Sequence, residues 1–519
     1  MTTLPRRTQG MLVTAGLAIV AAVVGAVILF SSSKANNVDL TAAGLVPEDA
    51  VLYAGFNTDL SSGQWVSAFK LVERLGQEDP EGELKRALAE DGTLDWDEDV
   101  APFLGGDAAV FMTSLTETDE FTNGAVIVRC KDAGKALAAL IRQADTSFTK
   151  KTYGGFEYQI GLDGEGYVVV IGDHLVVSGS EETLKSVIDV KNGKTKSIAN
   201  LEAFKALRDD LTRDFIAFVY VDTKRVIDDT FLAEPILREA FDKAASQDIL
   251  LKPFAAAVTA ANAGFAAQAA TGAEGAAADA MKPRESRFAK MVPARTTIFF
   301  STAGLAKTWA DTTAGGARKE IDDALASGPF GTLEDALREA GRPLGLDSIE
   351  EVIALLTGET AVAVWMEDST TDSAEGLLLA EVADEAKARD VLKKLFAKSQ
   401  SRIETIAGKE VVLARNGNDA AAYVVADGYA LIGTEAAVRA VLDGGPNLAG
   451  AAKYQHTRKA LSTPMGSFLY LDMHALLLSD AASSAVPVDA VAENLEGFIV
   501  NYVQDGGLAR VSAVLSVKE

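Results

Sequence analysis

Apolar residues recur at two alternating periods along most of the chain. Short apolar runs rich in β-branched residues, such as 125–128 and 167–171, predict strands, whereas 132–145 has apolar residues at helical spacing. Segments of these two kinds follow one another in the order strand, long helical stretch, strand, strand, helix, strand, hairpin, helix, strand. Hairpin-joined strands with interposed helices predict an α+β fold in which a mainly antiparallel sheet packs with helices.

This succession of segments occurs twice, with an offset of about 250 residues. We interpret it as two tandem homologous domains, an α+β repeat at 45–271 and a second at 287–519, joined by an Ala- and Gly-rich linker at 272–286. The matching blocks, in the same order in both halves, are 45–47 with 291–293, 103–107 with 355–359, 124–140 with 376–392, 152–158 with 405–411, 173–189 with 427–443, and 218–222 with 468–472.

Turn and cap residues mark the ends of several predicted elements. Asp173 and Asp427 separate paired apolar runs, where a tight hairpin favours Asp, Asn or Gly. Ser180 and Thr434 precede acidic residues at the start of a helical segment, which is the arrangement of N-cap residues. A final hairpin is predicted to turn at 505–507, so the second half should end in a pair of strands.

The first uncharged segment, 11–30, is long enough to span a bilayer. Its 20 residues would form about 30 Å of helix, which matches the thickness of the hydrocarbon core. Arg6 and Arg7 precede it and the chain beyond it turns acidic, so the positive-inside rule predicts a cytoplasmic N-terminus at 1–10. The segment is therefore expected to be a single transmembrane anchor, followed by a tether at 31–44.

Such an anchor would make the chain a single-pass protein of the bacterial inner membrane. The bulk of the chain would then lie outside the cytoplasm, in the periplasm or an equivalent space. The alternative is a cleaved signal peptide, because 33–35 has the small-x-small form that signal peptidase accepts. The apolar stretch is longer than the apolar region of a usual signal peptide, which favours a retained helix. The membrane would then be one partner of the chain.

Charge and residue usage exclude several classes of protein. The chain of 519 residues has 49 Lys and Arg against 74 Asp and Glu, a formal net charge of −25, and such a surface repels nucleic acid. One cysteine cannot form an intramolecular disulfide, and three histidines are too few for a His-rich metal site. The acidic stretch 78–83 is predicted to be a solvated loop. No catalytic, cofactor-binding or metal-binding residue is therefore assigned, and no cofactor is expected.

An incomplete calcium motif lies before the 103–107 element. Asp95, Asp97 and Asp99 begin like an EF-hand loop. Val100 and Gly106 stand where that loop needs Gly and Glu, so a solvated acidic segment is the better interpretation.

The other candidate residues also favour structural roles. The segment 192–195 lacks the upstream glycine of a phosphate-binding loop. His174 is expected to be an exposed turn residue, because Gly428 replaces it in the second half. His456 and His474 are predicted to lie in a helix and at a strand end, without a nucleophile beside them. Cys130 is expected to be a buried strand cysteine.

The chain resembles the bacterial envelope proteins grouped as domain of unknown function 3352. The resemblance rests on the N-terminal apolar segment, the Leu-Val-Pro-Glu-Asp-Ala start at 45–50, the Phe-Leu-Gly-Gly-Asp element at 103–107, and the strand and Lys-Asp-x-x-Lys-Ala helix at 126–136. The second half departs from this pattern at Ala294-Arg295 and at Thr357. The resemblance implies an extracytoplasmic domain with no established catalytic residues, and it implies no reaction.

Three functional hypotheses follow from these observations. The first is a non-enzymatic interaction or structural module of the cell envelope, whose surfaces or exposed sheet edges contact another envelope protein; two similar domains would raise its apparent affinity. The alternative is a protein that binds a lipid or another apolar ligand, which needs a cavity. The third is an unrecognised hydrolase, for which the sequence offers no nucleophile and base.

Overall fold

The chain divides at Gly272 into two compact units, which are described separately. In this computed structural model the described residues are 38–88, 96, 100–114, 123–143, 147–161, 166–231, 252–272, 282–314, 318, 322, 332–342, 346–366, 374–416, 419–461, 463–478, 489–505 and 507–518.

Unit 1 contains one antiparallel sheet. The strands lie side by side in the order β4-β5-β6-β7-β3-β2-β1-β8-β9-β10. Most strands that are consecutive in the chain pair with each other, whereas β3 pairs with β7 and β1 lies between β2 and β8. The strands are β1 Leu52–Asn57, β2 Leu104–Met112, β3 Gly124–Cys130, β4 Phe148–Tyr153, β5 Phe156–Gly161, β6 Tyr167–Ile171, β7 His174–Ser178, β8 Ala217–Val221, β9 Phe254–Ala261 and β10 Gly264–Gly272.

Unit 2 has an antiparallel sheet with the same strand order. The order is β14-β15-β16-β17-β13-β12-β11-β18-β19-β20. The strands are β11 Ile298–Ala303, β12 Glu359–Met366, β13 Ala374–Glu381, β14 Gln400–Ile406, β15 Lys409–Asn416, β16 Asp419–Ala426, β17 Tyr429–Gly433, β18 Ser467–Asp472, β19 Leu495–Asp505 and β20 Leu508–Val517.

Helices connect the strands that are not joined by hairpins. In unit 1 the described α-helices are α1 Gly63–Arg74, α2 Pro80–Leu88, α3 Ala133–Gln143, α4 Glu181–Lys191, α5 Glu202–Asp210 and α6 Thr223–Phe231. In unit 2 they are α7 Leu305–Thr312, α8 Leu333–Gly341, α9 Glu350–Ile353, α10 Glu385–Leu395, α11 Glu435–Asp443, α12 Ala452–Lys459, α13 Met473–Leu477 and α14 Asp489–Asn494. Short 3-10 helices lie at Thr41–Gly44, Ile198–Asn200, Phe288–Lys290 and Leu448–Gly450.

Turn and N-cap residues lie at the element boundaries that the sequence predicts. The Ser180 side chain accepts a hydrogen bond from the Thr183 amide at the start of α4, and Thr434 caps α11 in the same way. Asp427 adopts a left-handed conformation with φ 53° between β16 and β17, which an aspartate tolerates better than most residues. These predictions are confirmed, and the final hairpin β19–β20 also forms.

Aromatic side chains fill the space between the sheet and helix α5 in unit 1. The ring of Phe204 on α5 lies 5.7 Å from that of Tyr53, 5.8 Å from Phe218 and 5.2 Å from Tyr220, all on neighbouring strands. Edge-to-face contacts of this kind add to the stabilisation from burial. The interior at this position is packed with side chains.

Unit 2 has a similar aromatic contact on helix α12. The ring of Tyr454 lies 5.1 Å from that of Tyr470 and 6.4 Å from that of Phe468, and both partners belong to β18. Burial raises the pKa of the Tyr454 hydroxyl to about 12. Tyr454 is therefore part of the core of unit 2.

The fold class expected from the sequence needs a correction. It began with a transmembrane helix, whereas no helix in the described part of the chain is long and apolar enough to cross a membrane. The expected segments 1–10 and 11–30 lie outside the described residues. What the described part of each unit has is an antiparallel sheet with helices.

Two segments predicted to be irregular are structured. Part of the expected tether, Thr41–Gly44, is a 3-10 helix whose Ala42 and Ala43 are buried. The prediction of a loop over 78–83 is wrong from Pro80 onward, where helix α2 begins. Proline is favoured in the first turn of a helix, and acidic residues stabilise a helix N-terminus. These residues therefore favour the start of a helix, although the composition of the segment is also typical of a loop.

Candidate functional site

A buried carboxylate near the start of β2 holds the N-terminal 3-10 helix of unit 1. Asp107 is 2% exposed, and its carboxylate accepts hydrogen bonds from the Thr41 amide at 3.1 Å and the Ala42 amide at 3.4 Å. The Thr41 hydroxyl lies 3.0 Å from both carboxylate oxygens. Because these amides are at the helix N-terminus, they would otherwise lack partners. Asp107 therefore joins the sheet to the chain that precedes it.

His174 extends this polar cluster from the first position of β7. Its Nε2 lies 2.9 Å from the Thr41 hydroxyl, and its Nδ1 lies 2.9 Å from the Asp173 carboxylate. Arg129 donates to Asp173 at 3.0 Å and lies 3.8 Å from Asp107. His174 is only 7% exposed, so the expectation of an exposed turn residue is wrong. The physical reason is that the segment containing Thr41 covers the turn.

The residues Asp173, His174 and Thr41 are arranged in the order of a carboxylate, a base and a hydroxyl. Such an order can activate a nucleophile. Here a second carboxylate, Asp107, contacts the same hydroxyl, and its charge would oppose the negative charge that develops during acyl transfer. Burial lowers the pKa of His174 and raises the pKa of Asp107. These features fit a structural network better than a reactive one.

Unit 2 has a carboxylate in the same place without the histidine. Glu359, at the start of β12, accepts a hydrogen bond from the Arg287 amide at 2.7 Å and from the Phe288 amide at 3.4 Å. It also accepts from the Ser286 hydroxyl and, at 2.7 Å, from the Ser301 hydroxyl. The feature common to both units is therefore a buried carboxylate that binds the amides of the first 3-10 helix.

Two clefts open beside Asp107 in unit 1. The larger has a volume of 520 Å³ and the smaller 130 Å³, and both are lined by Asp59 and Gly106. Lys85 and Lys131 line the larger cleft and Arg129 the smaller one. The lining is mainly polar and carries both signs of charge, so it does not resemble an apolar ligand site.

A cleft of 540 Å³ in unit 2 is lined largely by small or apolar side chains. Its lining includes Ala451, Ala475, Met366, Leu478, Arg295 and Lys453. The Lys453 ammonium lies 3.2 Å from the Asp472 carboxylate. The cleft is open to solvent, and its charged lining residues are Arg295, Lys453 and Asp472.

The same place in unit 1 is occupied by an arginine. The Asp222 carboxylate accepts from the Arg225 amide at 3.1 Å, as the Asp472 carboxylate accepts from the Ala475 amide at 3.0 Å. Arg225 and Ala475 are therefore structural counterparts. The Arg225 side chain reaches the Glu48 carbonyl at 2.8 Å, whereas Ala475 has no side chain that could do so. Replacement of an arginine by an alanine leaves the cleft of unit 2 open.

Each unit has a strand at the edge of its sheet. Within the described residues β4 pairs only with β5, and β14 pairs only with β15. The edge strand β4 carries exposed Lys150 and Lys151, which discourage strand addition. In β14 the counterpart of Lys150 is Ile403, whose exposed fraction is 68%. The two edges therefore differ in their capacity to accept another strand.

The remaining sequence candidates do not assemble into one site. Asp95, Asp97 and Asp99 lie outside the described residues. The segment 192–195 follows the C-terminus of α4, where its asparagine bonds to the Gly154 carbonyl.

The two other histidines belong to unit 2. His456, on α12, pairs with Glu496, and His474 is in α13 rather than at a strand end. Cys130 is buried as predicted, and burial raises its pKa to about 11. Over the described ranges no three His, Cys, Asp or Glu residues are grouped as a metal site requires.

The protein has two units, and each unit contains an antiparallel sheet with helices. The candidate sites are the solvent-open clefts and the edge strands. The chain belongs to the family described as protein of unknown function, DUF3352, whose sequence model matches residues 11–501. This confirms the resemblance expected from the motifs. No curated protein matches the chain.

Solved structures with some likeness to the chain are crystal forms of TP0453. Form I is 9% identical with a TM-score of 0.24, and the alignment covers 47% of this chain and 81% of that one. Form III is 12% identical with a TM-score of 0.24, and the alignment covers 49% and 90%. At these scores the likeness carries no functional argument.

Proposed function

We propose that this chain is a non-enzymatic, extracytoplasmic protein that binds another polypeptide through the edge strand β14. The observation that carries the proposal is the difference between the two edges. An edge strand with free backbone groups is a template for strand addition, and lysines or inward charges usually block it. Lys150 gives β4 such protection, whereas Ile403 gives β14 an apolar contact at the matching position.

A non-enzymatic role is supported by the structural hydrogen bonds that the buried polar groups form. Asp107 and Glu359 bind backbone amides, and His174 is held between Thr41 and Asp173. Export is supported by the uncharged run that follows the arginines near the N-terminus, because the translocation machinery recognises apolar segments of this kind.

The proposal is tested with cysteine variants in intact cells. Ile403→Cys and, as matched control, Lys150→Cys are labelled with a membrane-impermeant, thiol-specific photocrosslinker. The native Cys130 is buried, so it is not expected to react. We expect both variants to be labelled and only the variant at position 403 to form a crosslinked polypeptide.

Each other outcome of this experiment contradicts a defined part of the proposal. Absence of labelling at both positions would contradict the extracytoplasmic location. Labelling without a crosslink at 403 would contradict binding at β14. Equal crosslinking at 403 and 150 would show that the contact is not specific to the unprotected edge.

The open cleft of unit 2 favours a second candidate function, the binding of an amphiphile with an anionic group. Its small side chains would contact the apolar part, and Arg295 and Lys453 would attract the charge. The supporting observation is that Arg225 occupies the corresponding place in unit 1.

Transfer of this arginine to unit 2 tests the cleft. Ala475→Arg should fill the space, because the introduced guanidinium could pair with Asp472 as Arg225 does with Asp222. We expect saturable binding of anilinonaphthalene sulfonate, followed by fluorescence, to be lost in this variant. The control Ala420→Arg adds the same charge at an exposed position of β16 and should bind normally. Equal binding by both variants would contradict a ligand site in this cleft.

A further inference from the structure

We infer that the polypeptide bound by β14 is a second copy of this chain, which adds its own β14 in antiparallel orientation about Ile403. This inference rests on the proposed function of the edge and names its partner. A two-fold interface requires a surface that is complementary to itself. The sequence of β14, QSRIETI, meets this requirement.

The self-complementarity lies in the residues on either side of Ile403. In an antiparallel pair centred on Ile403, Arg402 of each copy lies opposite Glu404 of the other, and Ile403 lies opposite Ile403. Directly opposed residues have Cβ atoms about 4.5–5.5 Å apart, which is close enough for ion pairs and apolar contacts. The pair would therefore contain two Arg–Glu contacts on one face and an isoleucine contact on the other face.

Arg402 and Glu404 lie on one face of β14, where they already contact each other. Arg402 is exposed, and its guanidinium lies 3.5 Å from one oxygen of Glu404 in the same strand. The other oxygen of Glu404 accepts from Arg439 of α11 at 2.8 Å. Helix α11 thus fixes the carboxylate on one face of the strand. Ile403 projects from the opposite face, where its side chain is exposed.

The edge strand of unit 1 provides an internal contrast. The same pairing of β4 about Lys150 would bring two lysines opposite each other, and like charges directly opposite destabilise a strand pair. Lys150 is also engaged by Glu157 at 2.6 Å within its own hairpin. Self-association is therefore assigned to β14 and not to β4.

The size of the contact predicts a reversible dimer. Stable interfaces bury about 1,200–2,000 Å² in total, and a single pair of edge strands is smaller than this. The dimer should therefore dissociate on dilution, and its affinity should depend strongly on the two Arg–Glu contacts.

Charge reversal tests this inference with the full chain. In Arg402→Glu two glutamates of each copy would face two glutamates, and in Glu404→Arg arginines would face arginines. Each variant alone should dimerise roughly tenfold more weakly than the wild type, because two favourable pairs become repulsive. When the two variants are mixed, every opposed pair again has opposite charges. Native mass spectrometry of differently tagged variants should then detect the heterodimer at about the wild-type affinity.

The mixture also separates loss of the interface from loss of folding, because two misfolded variants would not restore binding. A monomeric wild type at its highest soluble concentration would overturn the inference, as would homodimers of both variants that are as strong as the wild type. If the wild type is monomeric but position 403 crosslinks to a different polypeptide in cells, the proposed function stands and only the identity of its partner is wrong. If neither a dimer nor a crosslink forms, both are wrong.

Discussion

Replacement of Glu359 by alanine is expected to lower the free energy of unfolding of unit 2 by about 3–5 kcal/mol. The carboxylate is buried and accepts hydrogen bonds from two amides and two hydroxyls, those of Ser286 and Ser301. The change would leave all four donors without this partner. It would also remove a negative charge near Arg284, whose guanidinium lies 3.4 Å from the Ser301 hydroxyl.

Scanning calorimetry of the full chain measures this loss, and hydrogen exchange assigns it to unit 2. The matched control is Glu410→Ala, which removes an exposed carboxylate from β15 and should change stability by less than about 0.5 kcal/mol. Glu359→Gln keeps an acceptor and should cost less than Glu359→Ala. If Glu359→Ala and Glu410→Ala had equal effects, the carboxylate would not hold the 3-10 helix in place.

The local pattern of the sequence is sufficient to predict most strands and helix starts. The short apolar run 167–171, rich in β-branched residues, locates β6, and the polar residues Ser180 and Thr434 mark two helix N-termini. These features depend on neighbours within a few positions, which a single sequence displays. The expected packing of helices on an antiparallel sheet follows from the same information.

The contacts of the site depend on residues far apart in the chain. From the sequence, Asp107 is only the end of a Gly-Gly-Asp element, since nothing near it shows that Thr41 supplies its partners. The prediction that 31–44 is a tether implies that Thr41 makes no contact with the folded unit. The sequence indicates an exposed His174 for the same reason. Its counterpart Gly428 shows that the position is in a turn, but it does not show that the segment containing Thr41 covers that turn.

The edge strand presents a mixed case. The aligned block 152–158 with 405–411, extended by two residues toward the N-terminus, makes Lys150 the counterpart of Ile403, so the chemical difference is available from the sequence. The sequence does not show that these residues lie at a sheet edge, because the exposure of a strand edge depends on the order of strands in the sheet. In the structure β4 and β14 each have one strand neighbour among the described residues, so the difference in charge lies at two strand edges.

Replacement of Phe204 by alanine is expected to lower the free energy of unfolding of unit 1 by about 3–5 kcal/mol. The side chain is 2% exposed and contacts three aromatic rings, so its removal leaves a cavity that Tyr53 and Tyr220 cannot close without moving. Such a loss combines the transfer free energy of the ring with the cost of the cavity.

The control for Phe204→Ala is the same substitution at Phe254, which lies on β9 of the same unit and is 38% exposed. Phe254→Ala should cost less than about 1 kcal/mol, because the residue already contacts solvent. Calorimetry of both variants gives the comparison. Phe204→Tyr introduces the residue type that unit 2 has at Tyr454, and it should cost less than Phe204→Ala because the ring volume is kept. Equal stability of Phe204→Ala and Phe254→Ala would contradict a tightly packed aromatic core between α5 and the sheet.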